Sequence, residues 1–301
     1  MDDSPVNTTE LRRLLKRLSR FREQRRRRGL DRLLTRQRKA SLLGALRHQW
    51  PGGYVLTDDG ELAYVPAPLD DRGERMMFYG FAAVPAALVF APPGGVVIDV
   101  GANLGEWSVP LARAVGRAGG VLCIEPNPVV AAALAATLRI NNLAQTEVLP
   151  FALAAEDGQG RLLIEPGDSG LSRLSSSPAA IPVPLRRLDS IVAERELTRL
   201  DLLKIDVEGY ERHVLAGAAE SLRRFRPAVV FESGHEASDD RRAVAVFFDE
   251  LDYDLVAVLH DYGALQCGER DYAEAARTCD GTEARNILAL PRGQALTATG
   301  A

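Results

Sequence analysis

The chain has 301 residues, 46% of them hydrophobic and 26% charged, with a formal net charge of −4, enough apolar material for one large domain or two modest ones. Its three scattered cysteines, Cys123, Cys267 and Cys279, form no CxxC pair, which argues against a disulfide framework and against a thiolate zinc site. No apolar run reaches the roughly 18 residues of a membrane span, and "MDDSPVNTTE" lacks the apolar core of a secretory leader, so the expectation is a cytoplasmic protein.

Charge is unevenly spread. The first 50 residues hold 15 Lys/Arg against five Asp/Glu, a net of +10, which leaves −14 on the remainder. Leu11, Leu14, Leu15, Leu18 and Phe21 form one apolar stripe at helical spacing, and a second follows with Leu30, Leu33, Leu34, Leu42, Leu43 and Leu46. Residues 1–50 therefore read as a basic amphipathic helical extension. Its arginine run "REQRRRRGL" is the solvated face of helices that pack on the body or on a second copy. The other reading is a contact with an anionic surface, a membrane among them. Nucleic acid is disfavoured, since no aromatic residues are interleaved for base stacking.

Residues 51–94 read as a hairpin followed by helix, forming a cap on the acceptor side. "GGYVLTDDGELAYVP" alternates on both sides of Asp59-Gly60, and "ERMMFYGFAAVPAALVF" is helical up to "APPGG". From residue 95 to 301 strands alternate with helices: "VVIDV", "GVLCIEP", "TEVLPFALA", "LDLLKIDVEG", "AVVFES", "DLVAVL" and "RNILAL". A loop-rich stretch separates the third strand from the fourth, and one helix spans "YERHVLAGAAESLRRF". Seven strands with intervening helices predict a doubly wound, mostly parallel α/β sheet of Rossmann-like form. Ligands in such sheets sit beyond the carboxyl ends of the strands, at the switch point.

The glycine loop after the first of these strands is Gly101-Ala102-Asn103-Leu104-Gly105. It lacks the middle glycine of a dinucleotide fingerprint, and no G-K-[ST] follows as in a P-loop. The next strand ends in Glu125, where a carboxylate can accept both hydroxyls of a ribose. A ribose without a pyrophosphate points to S-adenosylmethionine. Asp99, in register at the tip of the first strand, would orient loop amides or meet the amino-acid ammonium.

Taken together, "VIDVGANLGEWS", "IEPNP", "LDSIV" and "LLKIDVEGYERHVLAGA" resemble the FkbM-type methyltransferases, a branch of the class I S-adenosylmethionine-dependent enzymes, from about Gly95 to Glu232. The resemblance implies methyl transfer to a hydroxyl of a sugar, glycan or natural product. It implies that Asp99, Gly101, Asn103 and Gly105 form the methionine-side loop, that Glu125 holds the ribose, and that Asp157 faces the adenine amide with Glu156 as its competitor. Asp206 would face the methyl-transfer site.

A sugar hydroxyl needs a base or a metal to carry off its proton. "LLKIDVEGYE" supplies Lys204, Asp206, Glu208 and Glu211, the first three of which strand alternation would put on one face. "VVFESGHE" supplies Glu232, His235 and Glu236. The candidates for the chemistry are Asp206, His235, Lys204 and Glu208. Lys204 could instead be a structural ion pair, and Glu208 a helix N-terminal carboxylate. A divalent cation on Asp206, Glu232 and His235 is the less favoured mechanism, and no metal ligands are assigned. The acceptor pocket would be capped near Met76–Tyr79 and by the loop around Tyr262. Two rivals belong to other classes. One is a nucleic-acid methyltransferase, against which no [DNS]-P-P-[YFW] motif and no Pro-Cys nucleophile is found. The other is a non-catalytic partner protein that uses the basic helices. The apolar stripes of the extension make a homodimer an expectation as well.

Overall fold

The computed structural model describes residues 47, 49–57, 60–81, 85–233, 238–260, 263–266 and 285–294. The basic stripes before residue 47, the loop around Tyr262, and His235 lie outside them.

The hairpin forms as its turn signal predicts: β1 (Gly53–Leu56) pairs antiparallel with β2 (Leu62–Val65). Helix α1 (Asp71–Tyr79) begins at the N-cap Asp70, whose side chain accepts from Gly73 N at 2.7 Å, and it stops at Gly80 with φ 64°. After the short α2 (Pro85–Leu88) the alternation starts: β3 (Val96–Val100), α3 (Ser108–Val115), β4 (Gly120–Ile124), α4 (Pro128–Ile140) and β5 (Thr146–Leu149). "EPNP" is read locally as a helix start, with Asn127 Oδ1 accepting from Val129 N at 3.1 Å and Pro128 in the first turn. The hairpin is hydrogen-bonded to α4, Tyr64 N donating to Thr137 Oγ1 (2.8 Å) and Leu62 N to Asn141 Oδ1 (3.0 Å).

The stretch expected to be loop is folded. It holds β6 (Ala152–Leu153), β7 (Gly158–Leu163), β8 (Arg173–Leu174) and β9 (Ile181–Arg186), arranged β6–β9–β7–β8 as a separate small sheet over Ala152, Leu162 and Val183. Glycines, serines and Pro182 and Pro184 hide the strand pattern. The prolines are tolerated because β6 pairs with β9 only at Leu185 and Arg186, leaving their side of β9 open.

The main sheet is completed by β10 (Leu202–Ile205), β11 (Ala228–Ser233), β12 (Tyr253–His260), β13 (Gly263–Gln266) and β14 (Arg285–Pro291). Helices α5 (Leu188–Glu194), α6 (Glu211–Ala216), α7 (Ala219–Phe225) and α8 (Ser238–Glu250) lie between them. The order is β13–β12–β14–β11–β10–β3–β4–β5. All seven expected strands are present, and β13 adds an eighth by pairing antiparallel with β12. The single helix expected over residues 210–225 is broken at Gly217, where a Cβ would overlap the Ala154 carbonyl.

The strands β3, β4, β10 and β11 run parallel and are apolar on both faces because helices cover both. Val97, Leu202 and Val230 face one core layer, and Ile98, Val100, Leu203, Ile205 and Phe231 face the other. The order reverses between β10 and β3, which places a crevice at their carboxyl ends.

Candidate active site

The cleft at that crevice is lined by the loop after β3 (Gly101, Ala102, Asn103), the end of β4 (Ile124, Glu125), the small sheet (Ala152, Leu153, Leu162) and the segment after β10 (Asp206, Glu208, Tyr210). Gly101 has φ +73°, and a Cβ there would overlap the Asp206 carbonyl, so the two loops meet backbone to backbone. Asn103 takes φ 46°, a left-handed conformation that asparagine tolerates. Glu125 is 7% exposed. One oxygen accepts from Asn103 N (2.9 Å) and the other from Asn127 N (2.8 Å), so the carboxylate ties the glycine loop to the start of α4. Burial pushes its pKa up to about 7 against those two amides. Asn103 Oδ1 is buried with no hydrogen-bond partner among the described residues, which is what a site built to receive a donor shows.

The acidic end of the cleft lies past β10. Asp206, Glu208 and Glu232 of β11 each offer a carboxylate oxygen, all within 4.8 Å of one another. So many acids cannot all ionise. Burial and the Asp206 charge push Glu232 up to about 10, and burial with Asp206 raises Glu208 to about 7. Burial opposes charge on Asp206 too, but Lys204, the Glu232 hydrogen bond and Arg72 outweigh it and hold Asp206 below its ordinary range. Alternation ends with β10 at Ile205. Glu208 is aimed by a left-handed turn (φ 54°, followed by Gly209 at 93°), a local strain that marks functional loops.

Lys204 sits opposite Asp99 in the β10–β3 register. Its ammonium, 2% exposed, is 3.1 Å from Asp99 Oδ1, 3.6 Å from Asp206 Oδ2 and 3.1 Å from the Gly101 carbonyl. Burial works against its charge, yet Asp99, Asp206 and Glu106 raise its pKa above the ordinary range. An amine that keeps its proton is no base, and Lys204 is instead the fixed cation that orients Asp206.

Several expected site residues stand elsewhere. Asp99 is fully buried against Lys204 and Ser108 Oγ (2.6 Å) and does not line the cleft. Gly105 (φ +99°) serves packing, since a Cβ there would come within 2.8 Å of Leu134 Cδ1. Asp157 lies on the surface, accepting from Arg187 N (2.7 Å) and Ser190 Oγ (2.6 Å) at the start of α5, and those bonds lower its pKa. From that chain segment it is Ala152 and Leu153 that line the cleft. Met76 is buried in the core, so the cap near Met76–Tyr79 is not formed by its side chain. The part of α1 at the cleft is its first turn, through Arg72. Sequence reasoning missed Arg72 and Glu106, both of which line the cleft. Only the position of Glu106 inside "GANLGEWS" could have marked it.

A ribose-type carboxylate on the second strand of a doubly wound sheet, a glycine loop with no phosphate cradle and an acidic cluster at the fourth strand define an S-adenosylmethionine-dependent methyltransferase of class I. The family model of the methyltransferase FkbM domain matches residues 99–264, and the chain belongs to this family. It is similar to methyltransferase sdnD of Sordaria araneosa, 25% identical over 230 residues that span 61% of this chain and 88% of that one. To 2-O-methyltransferase NoeI of Sinorhizobium fredii (strain NBRC 101917 / NGR234) it is 28% identical over 186 residues, 55% of this chain and 74% of that one. To 31-O-demethyl-FK506 methyltransferase FkbM of Streptomyces tacrolimicus it is 30% identical over 161 residues, 43% and 61% of the two chains. Among the described residues no helix is long and apolar enough to cross a membrane.

Proposed function

We propose that the enzyme transfers the methyl group of S-adenosylmethionine to a hydroxyl of a sugar, glycan or natural product. A hydroxyl acceptor is supported by two relatives, one named a 2-O-methyltransferase and the other a 31-O-demethyl-FK506 methyltransferase. The observation that carries the reading is the pairing of an ionised Asp206 with Glu208, raised to about 7, at one end of a cleft whose other wall holds Glu125. Glu125 receives the ribose hydroxyls, and Gly101 and Asn103 face the methionine half. Ala152 and Leu153 cover the adenine.

The sulfonium supplies the electrophile, so this chain mainly aligns donor and acceptor, an effect worth ~7–11 kcal/mol of barrier. Asp206 and Glu208 accept the hydroxyl proton, and Glu208 is matched to that task near neutral pH. Lys204 keeps Asp206 charged. His235, two residues past β11, is the further candidate base.

Calorimetric titration with S-adenosylmethionine and S-adenosylhomocysteine, beside Glu125→Ala, tests the reading. Micromolar binding lost in the variant supports it, and no binding by the wild type sinks it. Transfer of labelled methyl groups by Asp206→Asn, Glu208→Gln and His235→Ala variants separates the three candidate bases.

A cation-assisted route is the second reading, favoured by the mutual 4.8 Å spacing of Asp206, Glu208 and Glu232. Loss of turnover in EDTA with recovery on adding Mg²⁺ selects it, and indifference to EDTA removes it. Cytoplasmic location, a homodimer through the apolar stripes of residues 11–46 and peripheral contact of the arginine run with anionic lipid extend the proposal. Light scattering and vesicle flotation test the last two.

A further inference from the structure

The first turn of α1 is stitched to the short 3-10 turn Ser169–Leu171 that follows β7. Asp70 Oδ2 accepts from Ser169 N at 2.8 Å, and Asp71 N donates to the Gly167 carbonyl at 2.8 Å. This seam fixes Arg72 over the cleft. Its guanidinium passes across Gly170, where a Cβ would overlap it, so the absence of a side chain at residue 170 is what lets Arg72 reach the site. The nearest carboxylates, Asp168 at 3.7 Å and Glu106 at 3.9 Å, are too distant for hydrogen bonds. Arg72 Nε is buried and has no hydrogen-bond partner among the described residues. Two long ion pairs hold the guanidinium, and a buried Nε–H with no acceptor among the described residues is out of keeping with a finished structure.

We infer that Arg72 is an acceptor-binding residue whose buried Nε–H, on a guanidinium that lines the cleft with Asp206 and Glu208, holds the oxygen next to the hydroxyl being methylated, and that the acceptor presents a neutral vicinal diol. The inference rests on the methyl-transfer reading above. An anionic acceptor is disfavoured because Glu106, Asp168, Asp206 and Glu208 already surround Arg72, while the other cations lining the cleft, Arg173 and Lys204, are paired with Glu165 and Asp99, so a further negative charge would be repelled. The diol therefore meets a donor on one oxygen and carboxylate acceptors on the other.

The test uses the full chain loaded with S-adenosylhomocysteine, titrated by saturation-transfer NMR with methyl gluco-, manno-, fuco- and rhamnopyranosides. Glucuronate and tetrahydropyran-2-methanol, which has no vicinal diol, are run beside them. The expected result is that at least one neutral pyranoside binds, more tightly than either control. That affinity should fall about tenfold or more, the loss of a hydrogen bond to a charged group, in both Arg72→Met and Gly170→Ala, with S-adenosylhomocysteine affinity kept. Gly170→Ala removes no functional group and only displaces the guanidinium, so it decides the matter if Arg72→Met does not fold. Equal pyranoside affinity in the variants, tighter binding of glucuronate, or no pyranoside binding to a protein that still takes S-adenosylhomocysteine each overturns the proposal. Loss of S-adenosylhomocysteine affinity in a folded Arg72→Met variant does so too, by moving Arg72 to the cofactor. If the wild type does not bind S-adenosylhomocysteine, it is the methyltransferase reading that fails.

Discussion

Glu125 shows how one carboxylate serves both structure and binding. Its two amide contacts fix the glycine loop, and its remaining lone pairs face the cleft. Because burial raises it to about 7, the ionised form, which in the proposed reading accepts the ribose hydroxyls, is depleted below neutrality. Affinity for S-adenosylhomocysteine should therefore fall roughly tenfold between pH 8 and pH 6. Glu125→Gln should bind weakly with no such slope, and calorimetry at four pH values checks both. In the cofactor-free protein the stability contribution has the opposite sense. A carboxyl with a raised folded pKa contributes stability that is full below the unfolded value near 4.5 and lost as pH rises through about 7. The melting temperature of wild type relative to Glu125→Gln should fall across that window. At Gly101 the constraint is steric. Gly101→Ala adds a left-handed alanine and a clash with the Asp206 carbonyl, which should destabilise by at least about 2 kcal/mol in urea titration.

Among the elements, the helices that position the site are held by carboxylates whose purpose is capping. Asp189, 7% exposed, sits in the first turn of α5 and accepts from Ser221 N (2.8 Å), Ser221 Oγ (2.6 Å) and Glu220 N (3.2 Å) at the start of α7. Asp189→Ala should lower stability by about 1–2 kcal/mol with cofactor affinity unchanged, read by melting and calorimetry on the same sample. Asp157 belongs to the same class of role at α5, which explains why a carboxylate in the right chain segment is not at the cleft. The small sheet is an element that sequence patterning hid, since its glycines and prolines read as loop. Its Ala152, Leu153 and Leu162 nevertheless supply one wall of the cleft.

At the scale of the whole molecule, the two halves of the sheet meet at β3 and β10, and the Asp99–Lys204 pair is buried across that seam. Lys204→Met would leave Asp99 buried and uncompensated, which should cost about 3–5 kcal/mol. It should also free Asp206 from the charge that keeps it ionised, so the low-pH limb of the methyl-transfer profile moves upward. A purely structural loss would lower the melting temperature without moving that limb.

The sequence by itself determined the alternation of strands and helices, because buried parallel strands are short apolar runs bounded by Gly, Pro and charged residues, with longer helical periods between them. It also marked Gly101, Asn103, Glu125, Asp206 and Glu208, because each is fixed by its place just after a strand, and strand ends point at the crevice. Only the tertiary structure decided which carboxylates reach the cleft. Asp99 and Asp206 are both acids at or near strand tips, yet one is buried against a lysine and the other faces the ligand space, a difference set by side-chain direction and neighbouring strands. Glu232, like Asp206, was marked by its place at the end of a strand, whereas Arg72 comes to the site from α1, a distant stretch of chain that only packing brings there, so no local pattern in the sequence could have joined it.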